Sequence, residues 1–163
     1  MTTAWILEFK QEVLWYYREQ KELADAALAR CDDQTFFAHW RADGDGHTNS
    51  IAIVVKHLSG NFRSRWTDFL RTDGEKPERH RDQEFIQRAE ENRAMIMQGW
   101  EEGWQILFAT LEALSEADFA RTVTIRGEPF TVVRAILRNL THAAHHIGQI
   151  DLLATALQGG SAG

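Results

Sequence analysis

Cysteine, proline and positive charge are all scarce in this chain of 163 residues. The single cysteine, Cys31, excludes an internal disulfide and fits a reducing compartment. Because Pro77 and Pro129 are the only prolines, long helices are permitted almost everywhere else. The formal net charge is −6, and no basic stripe stands out. We therefore expect no nucleic-acid partner, since such a partner needs clustered basic residues to neutralise its phosphates.

Long apolar runs are also missing from the sequence. No run approaches the roughly 18 residues that cross a bilayer, so we expect no membrane association. The first ten residues contain Glu8 and lack a basic leader, which argues against a signal peptide. The chain is long enough to bury one hydrophobic core. We predict a soluble, cytoplasmic protein with a single domain over residues 1–158 and a flexible glycine-rich tail over 159–163.

Apolar residues recur at three- and four-residue steps in four long segments, which is the pattern of amphipathic helices. These helices are predicted over about residues 3–30, 49–71, 82–114 and 131–157. The period changes around Arg126-Gly127, where two short strands are predicted. The predicted fold class is therefore all-α, an antiparallel four-helix bundle with a small β-arm before the last helix.

Capping residues and breakers supply the expected helix boundaries. Asn49 or Ser50 can cap the second helix, Asp82 the third and Thr131 the fourth. The charged segment 72–81 contains a glycine and a proline, and it is predicted to be an exposed linker.

The fourth predicted helix carries three histidines, His142, His145 and His146. At about 100° per residue, His142 and His146 lie within roughly 40° of each other on the face that carries the apolar stripe. Two imidazoles one turn apart can chelate a single metal ion. His145 is turned about 80° away and is less suited to be a ligand.

His57, on the second predicted helix, is the candidate third ligand. It borders the apolar stripe beside a polar seam formed by Ser50, Asn61, Ser64 and Asp68. Buried polar groups need partners, so a metal-centred cluster would explain this seam. The alternative is that all three histidines are hydrogen-bonded core residues that bind no metal.

The heights of these histidines constrain the topology. If the second and fourth helices are antiparallel, His57 and the His142/His146 pair lie within about one turn of the same height. A parallel arrangement separates them by more than a turn. A shared site therefore excludes a simple up-down-up-down bundle and requires one long crossover. Segment 72–81 is the candidate, because ten extended residues reach roughly 33 Å.

Two sequence stretches resemble a known family. Val54-Val55-Lys56-His57-Leu58-Ser59-Gly60-Asn61 is followed far downstream by His142-Ala143-Ala144-His145-His146-Ile147-Gly148-Gln149-Ile150. This combination resembles the DinB/YfiT-like superfamily of small metal-dependent proteins, and residues 49–70 resemble an uncharacterised bacterial branch of it, a domain of unknown function. The resemblance implies an up-down-down-up four-helix bundle and a homodimer. It also implies a divalent metal held by His57, His142 and His146.

The resemblance also implies a class of chemistry. Characterised members include S-transferases and isomerases that use low-molecular-weight thiols, so the expected function is metal-dependent transfer of a small thiol to an electrophile. A metal-dependent hydrolase, or a non-catalytic metal-binding or stress-related dimeric bundle, is the alternative. Three imidazoles suit zinc, nickel, iron or copper. Asn61 and Gln149 are candidates for orienting a ligand or a substrate, and packing is the alternative role for both.

The remaining polar and aromatic residues carry weaker expectations. Connector 33–49 contains an aromatic group that either plugs the end of the bundle or forms a lid or pocket wall: Phe36, Phe37, His39 and Trp40. Trp100 and Trp104 are expected in the core rather than at a dimer face. Cys31 is expected to pack rather than react. His47 and His80 are expected to be loop residues without an assigned role.

Overall fold

The computed structural model describes residues 4–40 and 49–159, and within them the chain is mostly helical. The described residues form five α-helices: α1 (Ala4–Ala29), α2 (Asp33–Phe37), α3 (Ile51–Trp66), α4 (Arg93–Ala113) and α5 (Val132–Gly159). A two-stranded sheet, β1 (Thr122–Ile125) and β2 (Glu128–Thr131), precedes α5, and two 3₁₀ turns cover Arg81–Phe85 and Glu116–Ala120. Gly159 belongs to α5, while the rest of the predicted tail and His47 lie outside the described residues.

Local signals explain where α3, α5 and the β-arm begin. The Ser50 hydroxyl accepts a hydrogen bond from the backbone N–H of Ile53 at 3.3 Å, and Thr131 caps α5 in the same way through Arg134 at 3.2 Å. Between the strands, Arg126 and Gly127 have φ angles of 55° and 77°. Two positive φ angles suit a tight hairpin turn. The predicted caps of the second and fourth helices and the predicted β-arm are therefore confirmed.

The second predicted helix is five residues too long. α3 ends at Trp66, because Thr67 leaves the helical region with ψ at 125° and Asp68 has a φ angle of 49°. Phe69 follows Trp66 by three residues, a spacing typical of a helix, although it lies outside α3. Its ring instead packs against that of Trp66, with the ring centroids 4.8 Å apart.

The start of the third predicted helix is also wrong. α4 begins at Arg93, and its cap is Asn92, whose side chain accepts from the backbone N–H of Met95 at 3.0 Å. Asp82 lies instead in the 3₁₀ turn Arg81–Phe85. The connection between α3 and α4 therefore covers residues 67–92, much more than the predicted linker 72–81.

The core is rich in aromatic side chains, and α3 packs closely on α4. A Cβ atom at Gly103 would lie 3.4 Å from the backbone of Ser59, so glycine permits this close approach. Trp100 and Trp104 are 0% and 1% exposed, which confirms that they are core residues. Cys31 is buried as well, and its Sγ donates to the carbonyl of Ala27 at 3.3 Å.

A buried amide joins α1, α3 and α5. The side-chain oxygen of Asn139 accepts from the Tyr17 hydroxyl at 3.0 Å and from Trp66 Nε1 at 3.1 Å. Its Nδ2 donates to the side-chain oxygen of Asn61 at 2.7 Å. Because Asn139 is only 4% exposed, Trp66 Nε1 and the Asn61 oxygen depend on it rather than on water, whereas the Tyr17 hydroxyl also reaches the carbonyl of Ile136 at 3.3 Å.

Across residues 4–40 and 49–159, none of the helices combines the length and the apolar character that a bilayer crossing requires.

Asn139→Leu should lower the free energy of unfolding by about 2 to 4 kcal/mol, because it leaves Trp66 Nε1 and the Asn61 oxygen buried without a partner. Urea unfolding followed by tryptophan fluorescence measures this loss. Leu137→Ala, on the exposed side of the same helix, is the control and should change stability by less than about 0.5 kcal/mol. Equal effects of the two substitutions would contradict a stabilising contribution of the buried amide hydrogen bonds.

Candidate metal centre

Three histidines from two helices meet in the interior of the protein. His57 on α3 and His142 and His146 on α5 each bring a ring nitrogen within 4.8 Å of the others. Their ring centroids are separated by 4.6 to 5.3 Å. His145 is exposed and lies beside Gln149, with its Nε2 3.3 Å from the amide nitrogen. The three histidines predicted as ligands are therefore those that the fold brings together.

The helices place these side chains at one height by running in opposite directions. His57 contacts His142, and one turn further along α3 Asn61 contacts Asn139. The residue numbers of the contacting pairs therefore increase along α3 while they decrease along α5. The predicted antiparallel pairing of these two helices agrees with this order. The early end of α3 does not disturb the agreement, because His57 still lies about as far from the end of its helix as His142 lies from the start of α5.

A carboxylate that the sequence did not reveal fixes the orientation of His57. Glu84, in the 3₁₀ turn Arg81–Phe85, accepts a hydrogen bond from His57 Nδ1 at 2.8 Å. Arg79 holds the other side of this carboxylate with two hydrogen bonds, from Nε at 2.7 Å and from Nη2 at 2.8 Å. The carboxylate lies so close to α3 that a Cβ atom at Gly60 would be 2.1 Å from its oxygen. Gly60 is therefore required where Glu84 docks.

The protonation state of Glu84 determines which ring nitrogen of His57 is free. Burial raises the pKa of Glu84, but hydrogen bonds from His57 and Arg79 outweigh it and hold this pKa below its usual value. An ionised carboxylate only accepts hydrogen bonds, so the proton of His57 lies on Nδ1. The lone pair of Nε2 then points away from Glu84, toward His142.

Gln149 orients His146 in a similar way. The amide oxygen of Gln149 accepts from His146 Nδ1 at 2.7 Å, which leaves Nε2 of His146 as the nitrogen with a free lone pair. The sequence placed Gln149 near the site as an orienting residue, and this contact agrees with that role. Burial is the main cause that lowers the pKa of His146, and the hydrogen bond to Gln149 offsets part of it.

His142 has the least satisfied ring of the three. Its Nε2 lies 3.3 Å from Nε2 of His57, and its Nδ1 is buried with no hydrogen-bond partner among the described residues. Burial, followed by the nearby rings of His146 and His57, lowers the pKa of His142 to about 3. The ring is therefore neutral at physiological pH, which is the form that binds metal ions.

The donor set fits a transition metal. Two nitrogens bound to one tetrahedral ion at about 2.0 Å each lie about 3.3 Å apart. Nε2 of His57 and Nε2 of His142 have this separation, while the donor nitrogens of all three histidines lie within 4.8 Å of one another. Three imidazoles favour zinc, nickel, iron or copper over calcium or magnesium, which prefer oxygen ligands. Backing of a ligating histidine by a carboxylate or an amide is also typical of metal sites.

The polar seam beside His57 has mostly structural roles. Ser50 caps α3 and donates to Gln87, and Ser64 bonds to the linker at Gly74. Asp68 lies beyond the end of α3. Of the four seam residues, Asn61 alone lines the cavity next to the histidines. The expectation that the whole seam serves a metal cluster is therefore wrong, because capping and linker contacts satisfy most of it.

The aromatic connector after α1 divides into a buried and a more exposed part. Phe36 is 0% exposed, with the Arg93 guanidinium 5.0 Å from its ring centroid, and this agrees with its role as a plug. Trp40 is 38% exposed, and residues 41–48 lie outside the described part of the chain. His80 is an exposed linker residue, as expected.

Two cavities lie near the cluster. The smaller one, of about 200 Å³, is lined by both His57 and His142. The larger is an open groove of about 990 Å³ along α3 and α4, lined by Glu84 and Arg79 but by none of the three histidines. A small molecule that reaches the histidines is therefore expected in the smaller cavity.

The low pKa of His142 predicts a pH dependence of stability for the metal-free protein. Below its ordinary pKa of 6.5 the unfolded chain protonates this ring while the folded chain does not, so stability falls with pH from about 6.5 toward 3. The slope that His142 contributes is up to about 1.4 kcal/mol per pH unit. Urea unfolding between about pH 6.5 and 5, above the carboxylate range, should show a flatter profile for His142→Gln.

The matched control for this experiment is His80→Gln, which lies outside the cluster and should keep the wild-type slope. A His142→Gln slope equal to that of the wild type would show that His142 protonates equally in both states.

Comparison with known proteins assigns the chain to a family. No curated protein and no solved structure matches it. A sequence model of one family matches residues 3–162, which is nearly the whole chain. The chain belongs to this family, which is described as a protein of unknown function, DUF1572.

Proposed function

We propose that this protein is a DinB/YfiT-like metal-dependent S-transferase that activates a low-molecular-weight thiol. The observation that carries the proposal is the geometry of the three imidazoles. His57 and His146 are each fixed through Nδ1 by another side chain, and Nε2 of His57 lies 3.3 Å from Nε2 of His142. A set of inward-facing lone pairs backed by hydrogen bonds is suited to one divalent ion, with zinc, nickel and iron as the first candidates.

The residues of the chain have distinct roles in this proposal. A divalent ion held by three imidazoles would lower the pKa of a thiol or water that binds to it. His57, His142 and His146 would hold the ion, while Glu84 and Gln149 orient two of these rings. The proton leaves the thiol for solvent, and the sulfur then forms a bond to an electrophilic carbon, from which the leaving group departs with its electron pair.

The sulfur comes from a cosubstrate in this proposal. Cys31 is buried and donates to a backbone carbonyl of its own helix, and burial raises the pKa of its thiol. Both features disfavour the thiolate that a nucleophile requires. A reducing compartment such as the cytoplasm, which keeps small thiols reduced, is part of the proposal.

An up-down-down-up arrangement of α1, α3, α4 and α5 is the topology that we infer. The residue numbers of contacting pairs increase together along α3 and α4, so these two helices are parallel, and the same is true of α1 and α5. Between α1 and α4 the numbers increase in one helix as they decrease in the other, so these two are antiparallel. The supporting pairs are Arg63–Glu102 and Trp66–Thr110, Tyr17–Asn139 and Arg30–Asp151, and Lys21–Glu101 and Leu28–Arg93. The connection 67–92 is then the crossover that a shared histidine site requires.

A homodimer through α1 is also part of the proposal. This helix exposes several large apolar side chains, and Trp5 is 58% exposed and Trp15 53% exposed. Apolar residues concentrated on one helix are typical of surfaces that pair with another chain.

Metal binding is tested on tag-free protein loaded with zinc, nickel or iron. The wild type should retain about one equivalent of metal, and His57→Ala should retain less than about a tenth of that amount. Glu84→Gln should bind about 10- to 100-fold more weakly, because His57 loses the carboxylate that orients it. Elemental analysis and competition with a chelator measure the two effects.

His145→Ala is the matched control, because His145 lies on the same helix and contacts the ring of His146 but contributes no nitrogen to the group of possible ligands. It should bind metal as the wild type does. Wild-type protein with less than about a tenth of an equivalent, unchanged in His57→Ala, would refute the site.

Turnover is tested with several cellular thiols and a chloronitrobenzene electrophile, whose conjugate is followed by absorbance. The metal-loaded wild type should form the conjugate, and His142→Ala should reduce the rate by about 100-fold. A rate that survives in His142→Ala would argue against metal-activated thiol chemistry. Ester hydrolysis without thiol transfer would favour the hydrolase, and stoichiometric metal without either reaction would favour a binding protein.

A further inference from the structure

The cavity beside His57 and His142 is lined with guanidinium groups. It encloses about 200 Å³, and its lining consists of arginines, histidines and asparagines without any carboxylate among the described residues. We call it the arginine cavity. Its five arginines are Arg65, Arg79, Arg81, Arg126 and Arg138.

Only part of this positive charge is balanced by the protein. Arg79 pairs with Glu84 and Glu75, and Arg126 lies 3.3 Å from Glu75. Arg65, Arg81 and Arg138 have no carboxylate within salt-bridge distance in the described part of the chain. Arg81 and Arg138 are exposed to solvent, whereas Arg65 is buried.

Arg65 is the residue for which this imbalance is greatest. It is only 7% exposed, and its Nε is buried without a hydrogen-bond partner among the described residues. Burial, followed by the charge of Arg138, lowers its pKa to about 10, so the guanidinium is still charged at neutral pH. Glu75 attracts this charge only from beyond salt-bridge distance, and a buried charge without a close partner is costly unless a ligand supplies one.

The packing around Arg65 keeps it in this position. A Cβ atom at Gly74 would lie 3.0 Å from its Cδ and 3.2 Å from its Nε, so the linker backbone covers the side chain closely. The guanidinium therefore has little room to turn toward solvent. A fixed, planar guanidinium is preorganised for the two oxygens of a carboxylate or phosphate group.

From this cavity we infer that the substrate is an oxyanion: Arg65 and Arg138 bind a phosphate or carboxylate group of it next to His57 and His142. This inference rests on the proposed function in one respect, which is that the bound anion is part of the substrate. The anion site itself requires no metal. A divalent ion on the histidines would add positive charge and strengthen the attraction.

The size of the cavity limits the ligand. Sites for drug-sized molecules enclose about 300 to 1,000 Å³, so a cavity of about 200 Å³ fits a compact anionic group rather than a whole nucleotide. Because His57 and His142 also line the cavity, the orientation of the substrate in it follows. Its anionic end lies among the arginines, and its reacting end faces the histidine cluster.

Calorimetric titration of the full chain tests this assignment, with inorganic phosphate and succinate as the two probes at constant low ionic strength. The metal-free protein should bind at least one probe, and the preference between them distinguishes a phosphate from a carboxylate group. Arg138→Gln should raise the dissociation constant by about tenfold or more, because one charge-assisted hydrogen-bond donor is lost. Arg65→Met should abolish binding of the preferred probe.

Arg134→Gln is the matched control. Arg134 lies one turn before Arg138 on α5 and contacts the same Phe130 ring, but it does not line the cavity. Its affinity for the probe should equal that of the wild type. Equal weakening in Arg134→Gln and Arg138→Gln, or no binding of either probe, would overturn the anion site.

Metal uptake is measured on the same variants after loading with zinc, nickel or iron, so that the two proposals fail separately. Arg138→Gln should retain the metal stoichiometry of the wild type. Probe binding by a protein that takes up no metal on loading supports the anion site while refuting the metal centre. Stoichiometric metal without probe binding does the reverse.

Discussion

The Glu84 carboxylate, held between Arg79 and His57, is the interaction on which the site depends. It ties the long connection 67–92 to α3 and fixes the ring nitrogen that His57 presents to α5. Because the carboxylate rests directly on Gly60, a side chain at that position would displace it. A connection without an α-helix or a strand is in this way ordered by charged hydrogen bonds, which are stronger than neutral ones.

The same connection determines the electrostatics around the histidines. It brings Arg79 and Arg81 to a cavity that already contains Arg65 from α3 and Arg138 from α5. Positive charge next to a buried imidazole disfavours a second positive charge on its ring, and this supports the low pKa of His142. The neutral ring of His142 and the guanidinium groups without a carboxylate partner are therefore two consequences of one arrangement.

Helical periodicity predicted most of the fold because most of the described chain consists of long amphipathic elements. α1 and α5 lie within two residues of their predicted bounds, and the β-arm forms at the expected turn. The prediction failed between Trp66 and Arg93, where Phe69 and Phe85 continue the helical spacing by chance. Their rings pack on Trp66 and on His57 rather than in a helical stripe, and spacing alone cannot distinguish these two situations.

The sequence by itself determined which histidines meet. Spacing of four residues puts His142 and His146 on one face, and equal heights on opposed helices bring His57 to them. Only the tertiary structure decided what else surrounds them, because Glu84, Arg79 and Arg81 come from the connection 67–92 rather than from α3 or α5. Their positions depend on how a long irregular connection folds back on α3, and no local periodicity encodes such a path.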